Sequence, residues 1–197
     1  MFELPIKIQI ADKDYPITRK GDYRVVLNCF DVLNDPYINE HTRVYASIVL
    51  FYEDIKNLDD VIGIFGENIE EAVEKMYWFF NCGQKSIGAV KESKLIDWVG
   101  DEQLICAAIN NVCKKEIRAE DYCHWWTFMG YYNSVGESSL ATVVSIRDKI
   151  LKGKKLEKYE KEFKRNNPQY FLWRSKSVEQ QQIENDLIAN FHRSEKR

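Results

Sequence analysis

The chain has 197 residues, 45% of them hydrophobic and 13% aromatic, enough apolar material for one domain or a domain with an added lobe. Its 28 basic and 31 acidic residues give 28 − 31 = −3, a balance that argues against a protein built to coat nucleic acid. With 4 prolines and 9 glycines, no basic leader followed by an apolar run and no uncharged stretch of spanning length, the sequence excludes collagen-like, extensively disordered and membrane classes and predicts a soluble cytoplasmic chain.

Ile6, Ile8 and Ile10 alternate with Lys7 and Gln9, the period of a half-buried strand. Asp12, Lys13 and Asp14 are turn formers, and Tyr15 to Thr18 can return as a second strand whose Pro16 confines it to an edge. Residues 1–20 are therefore predicted to form a β-hairpin.

From Asp22 to Leu33 the period changes to that of a helix, with Val26, Cys29, Phe30 and Leu33 on one face, stopped by Asn34-Asp35-Pro36. A second helix is expected from Glu40 to Asp54 behind the cap Asn39, and a short one from Leu58 to Phe65, closed by Gly66. Asn68 with Glu71 has the spacing of a capping box ahead of a helix striped by Ile69, Val73, Met76, Tyr77 and Phe80 and ended by Gly83. Residues 21–83 thus make one helical half.

Residues 84–100 lack periodicity and read as a connecting loop that contains Trp98. A helix from Asp101 to Lys115 opens the second half, 101–151. Then Tyr122 to Tyr132 packs six aromatic side chains into eleven residues. Read as one helix behind the acidic pair Glu120 and Asp121, it places Trp125, Phe128, Met129 and Tyr132 on one face, with Trp126 and Tyr131 on others. A helix apolar most of the way round is either enclosed by its own fold or shared with a partner. Ser138 or Ser139 is expected to cap a further helix carrying Leu140, Val143, Val144, Arg147, Ile150 and Leu151 inward.

Residues 152–197 differ in composition. Seven basic residues lie between Lys152 and Arg165 against Glu157, Glu160 and Glu162, with Leu156, Tyr159 and Phe163 at helical spacing. Interleaved glutamates suggest a solvated face with pairs such as Glu157 with Lys161 and Glu160 with Lys164. The polar stretch 174–197, with Ile183, Leu187 and Phe191 four apart, suggests a lightly anchored terminal helix. The whole is mainly α: a compact multi-helix domain with a small N-terminal β-hairpin and a basic C-terminal helix.

Signals for chemistry are weak. Cys123 and His124 are neighbours, but adjacent helix residues point about 100° apart and do not form a dyad. Cys106, Cys113 and Cys123 lack the short pairing of zinc ligands, so no metal is expected, and His124 reads as a structural histidine. The glycines form no phosphate loop, which leaves no cofactor. The five cysteines, odd in number and irregular in spacing, suit free and mostly buried thiols. No catalytic residue emerges.

The His124-Trp125-Trp126-Thr127-Phe128 run resembles the hallmark of a bacteriophage family, the gene-product-fifteen family encoded among phage tail genes. Trp78 to Gly83, Asp101 to Ala108, Ser145-Ile146-Arg147 with the lysine-rich stretch after it, and Asp22 to Asp35 resemble other parts of that family in the same order, covering about residues 20–170. The resemblance lacks a Thr or Ser cap ahead of the aromatic helix, where Arg118, Ala119, Glu120 and Asp121 stand, and loop 84–99 is long for the family. It implies a non-enzymatic tail-morphogenesis protein of long-tailed phages, acting in the host cytoplasm. The position of its relatives' genes beside the tape-measure gene suggests a tail assembly chaperone. On that reading Trp98, Trp125, Trp126, Phe128, Met129, Tyr131 and Tyr132 are candidate contacts for the tape-measure protein or other tail proteins, to the extent that they are exposed. Self-association stays open. The alternatives are a nucleic-acid-binding regulator using helix 152–165 and a structural component of the finished tail.

Overall fold

The computed structural model describes residues 3–84 and 95–172. Strands β1 (Lys7–Ile10) and β2 (Lys13–Pro16) form an antiparallel hairpin in which Ile8 faces Tyr15 and Ile10 faces Lys13. Ile8, Ile10 and Tyr15 are buried, as the alternation requires, while Ile6 stays 46% exposed. The turn is Ala11-Asp12, not the predicted Asp12-Lys13-Asp14. Both residues take positive φ, 44° and 64°, the sense that matches strand twist in a two-residue hairpin.

Eight helices follow among the described residues: α1 (Tyr23–Leu33), α2 (Glu40–Phe51), α3 (Leu58–Phe65), α4 (Ile69–Phe80), α5 (Glu102–Cys113), α6 (Trp125–Asn133), α7 (Ser139–Leu151) and α8 (Lys158–Asn166). The mainly α class and the small hairpin agree with the sequence reading. Asn39, Asn57 and Ser138 each accept a backbone N–H from the first turn of α2, α3 and α7, as N-caps do. α1 packs on α2, the hairpin lies on α4, and α6 reaches both α1 and α5. One core runs through the hairpin and helices α1 to α7, from Ile10 and Ile17 through Phe51, Met76 and Phe79 to Ile109, Trp125 and Phe128.

Several local expectations change. Gly66 closes α3 as expected, with φ 51° and its amide on the Ile62 carbonyl, but the capping box at Asn68 does not form, because the 3-10 turn Gly66–Asn68 leads directly into α4. Asn68 then has φ −91° and ψ 12° rather than an extended cap conformation. Glu71, freed from that role, accepts the Ala11 amide of the hairpin turn at 3.2 Å. α4 turns Ala72, Met76, Phe79 and Phe80 inward and leaves Tyr77 37% exposed. α7 buries Leu140, Val143, Ile146 and Arg147, so Ile150 and Leu151 lie outward at its end.

In α8 the inward position belongs to Glu160 rather than Tyr159, which is 65% exposed. Glu160 receives Lys149 Nζ of α7 at 2.6 Å and the Glu157 amide at 2.8 Å, so the predicted Glu160–Lys164 pair is replaced by a tie between helices. Most of loop 84–100 and the stretch 174–197 lie outside the described residues. No helix among the described residues is long and apolar enough to cross a membrane.

Candidate functional site

The aromatic segment begins three residues later than its composition suggests. Tyr122, Cys123 and His124 are not helical. They run against the start of α1, where the Tyr23 amide donates to the Cys123 carbonyl at 2.9 Å and Asp22 bridges to His124. Asp22 is fully buried, and its carboxylate accepts the Arg24 amide, the Arg24 guanidinium and the Cys123 amide, all between 3.0 and 3.2 Å. One side chain therefore caps α1 and pins the strand leading into α6. Arg24 reaches onward to the Glu120 carbonyl at 2.6 Å and the Arg118 carbonyl at 3.2 Å.

His124 supplies the cap that the sequence lacked as Thr or Ser. Its Nδ1 accepts the Trp126 amide at 3.0 Å, and its Nε2–H donates to the Pro5 carbonyl at 3.0 Å. Both contacts require one neutral tautomer, with the proton on Nε2. Burial lowers the imidazole below its ordinary pKa, with the Pro5 bond acting weakly the other way.

The two tryptophans then close a different helix. A helix ends with carbonyls that have no partner within it. At the end of α4, Cys82 and Gly83 adopt φ of 53° and 82°, and the amides of Asn81 and Gly83 return to the Tyr77 and Trp78 carbonyls at 2.9 Å each. Beyond them, the Trp126 indole donates to the Phe79 carbonyl and the Trp125 indole to the Phe80 carbonyl, both at 2.9 Å. His124, Trp125 and Trp126 thus start α6 and finish α4 together.

These roles sort the seven candidate contacts. Trp125 and Phe128 are sealed, 1% and 0% exposed, so they are core and cannot meet a partner. Phe128 stacks on Tyr23 with ring centroids 4.4 Å apart, and Trp125 lies 5.7 Å from Phe30. Trp98 is half-buried, 5.8 Å from Trp125 and 5.2 Å from Tyr132, and Trp126 is half-buried beside Trp78 at 5.5 Å. Met129, Tyr131 and Tyr132 are likewise half-buried against the core. What reaches the surface is a rim with two groupings, Trp98 with Tyr132 and Trp126 with Trp78, rather than one helix face.

Sequence reasoning misses Trp78, because its place in α4 gives no hint of its neighbour. Nor does periodicity foresee the exposed apolar side chains of α3, Leu58 at 45% and Ile62 at 60%.

Cys123 and His124 do not face one another: the thiol contacts the His124 carbonyl at 3.7 Å, while both ring nitrogens are engaged elsewhere. Burial pushes the Cys123 thiol up to about 11 and the Cys29 thiol up to about 12, away from the thiolate that a nucleophile requires.

A family model described as "Bacteriophage Gp15 protein" matches residues 1–172. Neither the curated proteins nor the solved structures contain a match.

Proposed function

The chain belongs to the bacteriophage Gp15 family, and from this we propose that it is a non-enzymatic tail-morphogenesis protein, an assembly chaperone that holds the tape-measure protein in the host cytoplasm before the tail tube encloses it. A tape-measure chain is long and largely helical, and its apolar stripe is prone to aggregate while it faces water. A holder for it needs apolar contact with loose sequence demands and moderate strength, so that tube subunits can displace it.

The half-buried aromatic rim carries the reading. Trp98 and Tyr132 are half-buried and pack on each other, and Trp98 packs on the sealed Trp125, so a helix laid across the rim meets large, already ordered rings. Aromatic side chains give much contact area with few rotors to freeze, and the half-buried Met129 adds a side chain that adapts to its neighbour. Partial exposure keeps each contact weak. Many copies along one client would make up the difference by avidity.

The test is a solubility assay. A tape-measure fragment is expressed with the wild-type protein, with Trp98→Ser/Tyr132→Ser, or with an unrelated acidic helical protein. The wild type is expected to keep the fragment in the supernatant and the double variant to lose most of that effect. A wild type no better than the unrelated protein would overturn the reading. Mass spectrometry of finished particles separates a chaperone, which departs, from a tail component, which stays.

A further inference from the structure

Charge is segregated along this chain. Between Glu53 and Glu74 there are eight acidic residues and one basic residue, Lys56, a net of 1 − 8 = −7. Between Lys152 and Arg165 there are seven basic and three acidic residues, a net of 7 − 3 = +4. The second stretch is more basic on its outer face than this sum, because Glu160 is buried and tied to Lys149. Among the described residues, Lys154, Lys155, Lys158 and Lys161 take part in no ion pair, and neither do Asp59, Glu67, Glu70 or Glu74. All eight are exposed.

Each charged stretch also leaves apolar side chains in water. Leu58 and Ile62 stand one helical turn apart on α3, beside Asp59 and ahead of Glu67. Tyr159 of α8 is 65% exposed among its lysines, and Leu151, where α7 ends, is 55% exposed. Helix-dipole effects account for acids in the first turns of α3 and α4. They do not account for Glu53, Glu67 or Glu74, nor for an isoleucine 60% exposed. A single exposed apolar group is ordinary on a surface; here such groups accompany two unpaired stretches of opposite charge, and this chain carries its own complement.

We propose that the acidic face of α3 and α4 in one copy docks the basic face of α8 in a second copy, with Leu58 and Ile62 against Tyr159. Two different patches meet, so the contact is head to tail: in a pair, one copy keeps its basic face free and the other its acidic face. Such an interface propagates into a short chain or closes into a ring. Its charges sit in water, so each contact is individually weak and sensitive to salt. The inference rests on the surface of this chain alone and stands apart from the identity of any client.

Sedimentation equilibrium of the full-length, nuclease-treated protein tests it, in about 0.05 M and about 0.5 M salt, where screening differs several-fold in range. The average mass should exceed the 23.3 kDa of one chain at low salt and return to it at high salt. Lys158→Glu/Lys161→Glu and Glu67→Lys/Glu74→Lys should each be monomeric alone. An equimolar mixture should associate again, because each variant retains the native face that the other lacks, and this rescue also shows that both are folded. A wild type monomeric at low salt, a variant that assembles like the wild type, or a mixture that stays monomeric would each overturn the proposal. So would low-salt assembly that vanishes on nuclease treatment, which would assign the α8 face to nucleic acid instead.

Discussion

The indole N–H of Trp125 donates to the carbonyl of Phe80 at 2.9 Å, so the second residue of the His-Trp-Trp run finishes a helix that lies 45 positions earlier in the chain. Its neighbour Trp126 does the same for Phe79, but that carbonyl also receives the Cys82 amide at 3.0 Å. The two tryptophans should therefore differ. Trp125→Phe removes a buried donor and shrinks a sealed side chain, and it should cost about 2–4 kcal/mol. Trp126→Phe leaves Phe79 with a partner and a half-exposed site to relax, and should cost about 1 kcal/mol or less. Urea unfolding of the two variants checks this; equal losses would show that the indole bonds do not carry the difference.

The helix pattern of this fold was legible in the sequence wherever a short-range rule governs it. Asn39 and Ser138 sit before apolar stripes and cap them, as expected. What periodicity could not supply were bonds between distant segments. Residues 122–124 look like the first turn of an aromatic helix, yet their backbone is claimed by Asp22 and Tyr23, about 100 positions away. Asn68 and Glu71 have capping-box spacing, but the 3-10 turn that follows the Gly66 end of α3 leads directly into α4 and gives Asn68 no extended conformation to serve as the cap. The same limit applies to the candidate contacts. Density of aromatics located the segment, while the division into core (Trp125, Phe128) and rim (Trp98, Trp126, Tyr132) depends on α1, α4 and the end of the connecting loop.

His124 makes stability depend on pH. Burial depresses its folded-state pKa below the ordinary value of 6.5, so the unfolded chain binds this proton more readily than the folded one. The stabilisation is complete above about 6.5 and is lost as pH falls from there through the folded pKa. A proton on Nδ1 would also abolish the acceptor for the Trp126 amide. His124→Asn keeps an acceptor near the Nδ1 position and cannot charge. It should be less stable than the wild type at pH 8, where it lacks the Pro5 contact, and should lose less stability between pH 7 and pH 5. Denaturant midpoints across that range decide the point: parallel curves for the two proteins would refute the role.

Gly21 is fixed by both backbone and space. Its φ is +77°, and a Cβ there would lie 2.6 Å from Cζ of the buried Phe79 and 3.2 Å from His124 Nε2. Gly21→Ala should cost at least about 2 kcal/mol, since the left-handed conformation alone costs roughly 1–2 kcal/mol for a residue with Cβ. Gly63 in α3 gives the contrast. No atom lies within 4 Å of the place a methyl group would take there, and Gly63→Ala should stabilise by about 0.5–1 kcal/mol through helix propensity. Thermal unfolding of the pair, with roughly 2–4 °C expected per kcal/mol for a chain of this size, would expose an error in either sign.

Arg147 joins three parts of the chain. Its guanidinium pairs with Asp101, Nη2 to Oδ1 at 2.9 Å, in a site where both side chains are almost fully buried, and it donates to the Leu95 carbonyl at 2.9 Å and to the Tyr170 carbonyl. It therefore ties α5, the end of the connecting loop and the segment after α8 to α7. Removing one partner strands a buried charge, so Arg147→Met should cost about 3–5 kcal/mol, and the double change Asp101→Leu/Arg147→Met should recover part of it. Arg147→Lys should behave more like the loss than like the wild type, since an ammonium lacks the planar fork that reaches a carboxylate and two carbonyls at once. If the arginine also anchors the end of the described chain, trypsin should cut after Lys164 and Arg165 faster in Arg147→Met than in a variant equally destabilised elsewhere, such as Gly21→Ala. Equal cleavage rates would confine Arg147 to global stability and remove it as the anchor of Tyr170.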